Sequence, residues 1–315
     1  MHPLRNCVVA ACLLFASHAG LAAIIPNTYS QLVFFGDSLS DNGNVFTATG
    51  GLYPPGGRFS NGPVAAEYMA GALGLNLTDF AYGGAKTGTD GNGNDSFLAA
   101  SLGLNGTGMQ AQVGMYTSMV GAAGADPEAL FGVWGGPNDY FEPGMVPPES
   151  VGNLMVILGD LYVLGARNFF VPNMPDLGLT AQFVGTSLQG DMTFLSGAFN
   201  ALLDQALMSF QLALPDARVI TFDTFNFLHE VVASPGAFGL QVVDAACTDS
   251  PACVLDPDLQ SNYLFWDGVH PTTAAHAQLG LAFARSASNA MPEPSTALLG
   301  LLAVIALVGI GRRAR

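Results

Sequence analysis

The chain has 315 residues, 50% hydrophobic and only 10% charged, which excludes a disordered polar chain and allows one large domain or two small ones. Its 24 Asp+Glu against 9 Lys+Arg give a formal net charge of −15; so acidic a surface repels phosphate backbones, and no nucleic-acid partner is expected. The 39 glycines follow no Gly-X-Y period, which excludes a collagen-like chain.

Arg5 precedes an apolar stretch from Cys7 to Ala16, and small residues follow around Ala19 to Ala23. This order predicts a secretory signal peptide over residues 1–23, cleaved near Ala22 or Ala23. The competing reading is a lipidation box at Val9-Ala10-Ala11-Cys12, but the apolar run continues past Cys12.

Residues 24–289 form the main domain, and its only basic residues are Arg58, Lys86, Arg167, Arg218 and Arg285. Gln31 to Gly36 is a short, nearly continuous apolar run ending at glycine, read as a strand buried on both faces. Asn61-Gly62-Pro63 opens a helix to about Leu73, proline being tolerated in a first turn. Asp79 to Gly83 reads as a second strand, and Gly83 to Gly108, rich in Gly, Asn, Asp and Thr, as a surface loop. A helix is predicted over Gln110 to Gly121, a strand over Leu130 to Trp134, a helix over Val151 to Leu164 and a strand over Asn168 to Pro172. A long helix over Asp191 to Leu214, a fifth strand over Arg218 to Phe222 and a last helix over Thr273 to Ser288 complete the series. Strands alternating with helices imply a three-layer α/β/α fold around a central parallel sheet. Ligands bind such sheets beyond the carboxyl ends of the strands, so the informative residues should follow strands 1, 2, 3 and 5. Cys247 and Cys253 are an even pair closing a short loop, read as a disulfide in an oxidising compartment. A two-cysteine metal site is the weaker reading, for want of nearby histidine ligands.

At the far end Pro292-Glu293-Pro294 precedes an apolar run from Ala297 to Gly311, then Arg312, Arg313 and Arg315. The run makes about 22 Å of helix, short of the ~30 Å hydrocarbon core, a length that also suits a lone buried helix. The terminal arginines instead fit the positive-inside rule. Residues 290–315 resemble a PEP-CTERM sorting signal of Gram-negative bacteria that make exopolysaccharide. The resemblance implies export, transient anchoring at the inner membrane, a processing enzyme acting on the tail as a partner, and a final place at the cell surface or outside the cell.

Four blocks carry the chemistry. They are Gly36-Asp37-Ser38-Leu39-Ser40 after strand 1, Ala81-Tyr82-Gly83-Gly84-Ala85 after strand 2, Gly135-Gly136-Pro137-Asn138-Asp139 after strand 3, and Asp267-Gly268-Val269-His270-Pro271 near the end. In this order they resemble the GDSL esterase/lipase family, also called SGNH hydrolases. The intervening Gly57-Arg58-Phe59-Ser60-Asn61-Gly62-Pro63 also looks like members of that family. The resemblance covers nearly all of the main domain and implies a flavodoxin-like SGNH hydrolase fold. Position by position it implies Ser38 as nucleophile, Asp267 and His270 as acid and base, and an oxyanion hole built from Ser38, Gly84 and Asn138. Pro137 fills the variable position of the third block.

The residue chemistry is consistent with those roles. A serine hydroxyl is a poor nucleophile at neutral pH and needs an adjacent base. His270 can take its proton and return it to a leaving alcohol, while Asp267, three residues earlier, can fix the imidazole tautomer. The run Gly36-Asp37-Ser38-Leu39-Ser40 is not the G-x-S-x-G of the α/β-hydrolase fold, and Asp267 and His270 share one loop. No metal or organic cofactor is required. Asp90 to Ser101 has Asp95 at the sixth and Ser101 at the twelfth position of a would-be calcium loop, so no calcium is expected. Asp37 and Asp139 read as structural braces, His229 and His276 as packing or surface residues, and Trp134, Phe34 and Phe35 as core.

The leading expectation is a secreted serine ester hydrolase acting through an acyl-enzyme on Ser38. Acyl transfer to another alcohol shares the first half-reaction, and a non-catalytic envelope or matrix protein on this scaffold is the alternative of a different class. The expected substrate is an ester: a lipid, an acetylated glycan or a small ester. The sorting tail draws attention to deacetylation of a matrix sugar.

Overall fold

The computed structural model describes residues 25–88, 94, 97–141 and 145–289. The expected signal peptide over 1–23 and the PEP-CTERM segment over 290–315 lie outside the described residues, as does part of the loop weighed for calcium.

Five strands form one parallel sheet: β1 (Leu32–Gly36), β2 (Leu77–Asp79), β3 (Leu130–Trp134), β4 (Asn168–Pro172) and β5 (Arg218–Phe222), in the order β2-β1-β3-β4-β5. This is the flavodoxin-like order, and its topological switch point lies between β1 and β3. The helices in chain order are α1 (Asn44–Ala48), α2 (Ala65–Leu73), α3 (Phe97–Ser101), α4 (Met109–Val120), α5 (Pro147–Leu164), α6 (Gln189–Ala213), α7 (Thr224–Ala233), α8 (Pro251–Leu255), α9 (Pro257–Gln260) and α10 (Thr273–Asn289).

β1 and β3 read as unbroken apolar runs because each of their residues has a covered face to enter. Val33 and Phe35 join Phe131 and Phe169 in a core shared with α4, α5 and α6. Leu32 and Phe34 point the other way, into a core shared with α2 and α10. Three layers follow from that alternation.

Some elements differ from the sequence-based expectation. The second strand is Leu77–Asp79, not Asp79 to Gly83. The apolar Phe80-Ala81-Tyr82 keeps hydrogen bonds to β1, through Phe80 N–H to Phe34 O and Tyr82 N–H to Gly36 O. On its other side the Asn44 amide takes the carbonyls of Asp79 and Ala81 at 3.0 and 2.9 Å, so a side chain stands where a further strand would be. Helix α5 starts at Pro147, ahead of the predicted Val151, because prolines fit a first turn whose N–H groups have no helical partner. The Gly83 to Gly108 stretch is not simply a surface loop. Asn94 is buried and donates to Gly83 O and Thr107 Oγ1, each at 2.9 Å.

The largest departure lies after β5. The chain adds α7 and a two-stranded parallel sheet of β6 (Val242–Ala246) and β7 (Tyr263–Phe265) before reaching Asp267. The acid and base therefore follow β7, and not the fifth strand of the main sheet. Cys247 and Cys253 are disulfide-bonded with Cα atoms 5.4 Å apart, tying the end of β6 to α8. Among the described residues no helix is long and apolar enough to cross a membrane.

Helices α2 and α10 approach closely because Gly280 lacks a side chain. A Cβ there would lie 2.5 Å from Ala65 O and 2.6 Å from Tyr68 Cβ. Gly280→Ala is expected to destabilise by about 1–3 kcal/mol through overpacking, outweighing the roughly 1 kcal/mol by which alanine favours a helix. The midpoint of urea unfolding measures this, and an unchanged or raised midpoint would show that the helices part without cost.

Candidate active site

The strands end in loops that converge at the switch point. Leaving β1, the chain turns sharply: the N–H groups of Ser40 and Asp41 donate to Asp37 O, and that of Leu39 to Asp37 Oδ1 at 3.0 Å. This turn presents Ser38. Just before it, the Gln112 side chain on α4 receives Gly36 N–H at 3.0 Å and donates to Gly36 O at 2.8 Å. Gln112 is fully buried and acts as a clasp on the last residue of the strand. Its only trace in the sequence is a polar residue on the face that also buries Met109, Val113 and Tyr116.

The histidine loop closes on itself. Asp267 Oδ1 accepts the N–H groups of Val269 and His270 at 3.0 and 2.9 Å. The His270 Nδ1 lies 2.8 Å from Asp267 Oδ2, and its Nε2 lies 2.7 Å from Ser38 Oγ. The hydroxyl, the imidazole and the carboxylate thus form one hydrogen-bonded chain. Burial of Asp267 works to raise its pKa, but the His270 ring and the two N–H donors outweigh that, and the carboxylate sits below its ordinary range.

The Gly57 to Pro63 block holds the histidine loop in place. Ser60 Oγ donates to Pro271 O at 2.9 Å, and Asn61 Oδ1 accepts Thr273 N–H at 2.7 Å at the start of α10. Phe59 packs beside the His270 ring, with centroids 5.4 Å apart. Arg58 forms a two-pronged pair with Glu67 of α2 at 2.7 and 2.6 Å, anchoring the block.

Gly84 is held from both sides. Gly83 N–H donates to Asp41 Oδ2 in the serine turn at 2.9 Å, and the Asn138 amide donates to Ala85 O at 3.1 Å. Gly84 has φ +81°, and a Cβ there would lie 2.9 Å from Asn94 Oδ1, so glycine is demanded by conformation and by space. Ser38, Asn138 and His270 line one cleft. The remaining residues singled out from the sequence have other partners. Asp139 is buried and accepts both the N–H and the hydroxyl of Thr87, at 2.9 and 2.7 Å. His229 lies 2.9 Å from Asp176, fastening α7 to the loop after β4. His276 is buried, receives Ala65 N–H at 3.2 Å, and is pushed down to about 3 mainly by burial. Among the described residues no group of three or more His, Cys, Asp or Glu is placed to hold a metal.

The fold and site together define a doubly wound α/β protein with a Ser–His–Asp chain at the carboxyl edge of its sheet. The chain belongs to the GDSL-like lipase/acylhydrolase family, whose model matches residues 32–283. Esterase EstA of Pseudomonas aeruginosa is 32% identical over 314 residues, which cover 84% of this chain and 48% of that protein. The thermolabile hemolysin of Vibrio parahaemolyticus is 28% identical over 289 residues, covering 85% of this chain and 66% of that one. Est24, a carbohydrate acetylesterase from Sinorhizobium meliloti, is a solved structure similar at a TM-score of 0.48 and 15% identity, over 83% of this chain and 100% of that one. The chain spans about half the length of EstA.

Asp37 is the unusual charge of the site. It is buried, its Oδ2 has no hydrogen-bond partner among the described residues, and burial pushes its pKa from 3.8 up to about 7, against the Leu39 N–H and His270. Its folded form keeps a proton that the unfolded chain has lost. Stability therefore falls as pH rises from about 4 through about 7 and stays lower above that. Asp37→Asn retains an acceptor for Leu39 N–H and removes the titration. Urea midpoints of the variant should gain on those of the native protein across that pH range; a pH-independent difference would mean that Asp37 is ionised throughout.

Proposed function

We propose that the chain is a serine carboxylic ester hydrolase. The observation that carries this reading is the hydrogen-bonded chain from Ser38 Oγ through His270 to Asp267, at the edge of the sheet where such folds bind ligands. In this reading His270 Nε2 takes the Ser38 proton as Oγ attacks the ester carbonyl. Asp267 holds the ring through Nδ1–H and stabilises the imidazolium. The developing oxyanion is met by the N–H groups of Ser38 and Gly84 and by the Asn138 amide, which gives one hydrogen to Ala85 O and has a second for the substrate. Each such donor lowers the barrier by about 2.7–4 kcal/mol. His270 then passes its proton to the departing alcohol, and a water repeats the sequence on the acyl-enzyme.

Export with a later sorting step belongs to the same proposal. The patterns at residues 1–23 and 290–315 support it, and a disulfide between Cys247 and Cys253 suits an oxidising compartment. N-terminal sequencing of protein recovered from producing cells should find a start just after Ala22 or Ala23; recovery with Met1 or Arg5 still attached would count against export.

Ser38→Ala should abolish both turnover of p-nitrophenyl butyrate and labelling by a fluorophosphonate. Asp267→Asn should keep the fold and lower kcat by roughly 10³–10⁴. Full turnover by the Ser38 variant would end the assignment.

A further inference from the structure

The cleft at Ser38 continues inward as an apolar cavity. Its inner walls include Phe227, Leu228 and Val231 of α7, Phe265 of β7, and Ala275 and Leu279 of α10, and the loops after β3 and β4 add Phe141 and Leu177. Leu228, Val231, Phe265 and Ala275 belong to an apolar cluster separate from those on the two faces of the main sheet. Protein interiors are close-packed, and voids larger than a water molecule are few. Apolar side chains that face a common opening onto a nucleophile candidate, with the polar groups gathered at one end, have the make-up of a ligand site.

The polar groups of the lining are unevenly placed. Asp37, Ser38, Asn138 and His270 gather where the reaction would occur. Thr180 donates its hydroxyl to Leu177 O at 2.7 Å, and Thr224 donates its own to Asn173. Both hydroxyl protons are spent inside the protein. Gln278, the remaining polar side chain of the lining, is exposed. A sugar in this cavity would lose water from several hydroxyls and find few partners. A hydrocarbon chain would lose nothing.

We propose that this cavity receives the acyl chain of the substrate, and that the preferred acyl group is a hydrocarbon longer than butyryl. The proposal rests on the ester-hydrolase reading of the same site. The acyl half is assigned by the order of events. The leaving alcohol must depart from His270 and be replaced there by water. A dry, apolar cavity cannot supply that water, but it can hold the part of the ester that stays bonded to Ser38. α7 and β7 supply part of the wall, so the insertion between β5 and Asp267 bears on chain length without touching the reacting atoms.

The test is kcat/KM of the full chain on p-nitrophenyl acetate, butyrate, octanoate and laurate, with octyl and ethyl acetate as reversed esters and an acetylated oligosaccharide. We expect a rise of at least about tenfold from butyrate to octanoate, the scale set by burying several methylenes, and no advantage of octyl over ethyl acetate. Ala275→Leu, which fills the cavity, should lower the octanoate-to-acetate ratio by about tenfold. Leu228→Ala, which widens it, should shift the preference towards laurate. A flat or falling series on native protein that still hydrolyses acetate would overturn the acyl assignment and leave the ester-hydrolase reading standing. A preference for octyl acetate or for the acetylated sugar would do the same. Absence of turnover on every ester, with no fluorophosphonate labelling, would overturn both.

Discussion

The site depends on a hydrogen bond that no local segment can make, His270 Nε2 to Ser38 Oγ, 2.7 Å across 232 residues. A displacement of about 1 Å between such partners is enough to lose most of their chemical advantage. The protein therefore fixes each end separately. The serine end is set by the β1 backbone, by the Gln112 clasp on Gly36 and by the turn around Asp37. The histidine end is set by Asp267, which binds backbone and ring of one short loop, and by Ser60 and Asn61, which reach the residues just beyond. Both ends are held largely through backbone atoms, whose positions are less free than those of long side chains.

This arrangement brings several carboxyl groups into the interior. Asp41 accepts four backbone N–H groups, from Gly43, Asn44, Val45 and Gly83, which tie the serine turn to the Gly84 loop, although burial still holds its carboxyl above the ordinary range. Asp139 is similarly bonded to Thr87. Asp37 differs from them in having one oxygen with no partner among the described residues, and burial raises its pKa to about 7. An incompletely satisfied buried group is uncommon in a stable fold, and its place beside Ser38 is where a departure from the local rules of stability is expected.

Much of this was legible in the sequence because the signals were local. Leu130–Trp134 and Asn168–Pro172 are short, largely apolar runs with polar or turn residues around them, and a strand buried on both faces has little other way to read; Arg218–Phe222, less buried, shows itself by its β-branched Val, Ile and Thr. Ser38, Asp267 and His270 stood out as reactive residue types in turn-forming blocks, and the folded chain brings the three together. What was not legible depends on partners far away in the chain. Gln112 is an ordinary helical residue until it is seen under Gly36. Asn44 looks like a loop residue, yet its amide takes two carbonyls beside β2. The insertion after β5 is hard to read because β7 is an apolar run of only three residues and β6 is broken by the exposed Asp244.

On the proposed function, that insertion adds to the catalytic frame of the molecule a wall that can select. The five-stranded sheet with its two helix layers holds the serine and the loops of Gly84 and Asn138, an arrangement indifferent to what an ester carries. In the proposed reading, selectivity comes from surfaces the ester touches away from its carbonyl, among them α7, β7, one side of α10 and the loops after β3 and β4. The electrostatics point the same way. With a net charge of −15, the protein opposes the approach of anionic polymers over roughly a Debye length. An uncharged ester meets no such barrier, and each Å² of its hydrocarbon removed from water contributes about 25 cal/mol. In the proposed reading, the acidic exterior and the apolar interior thus favour the same class of substrate, one selecting against charge and the other for a chain.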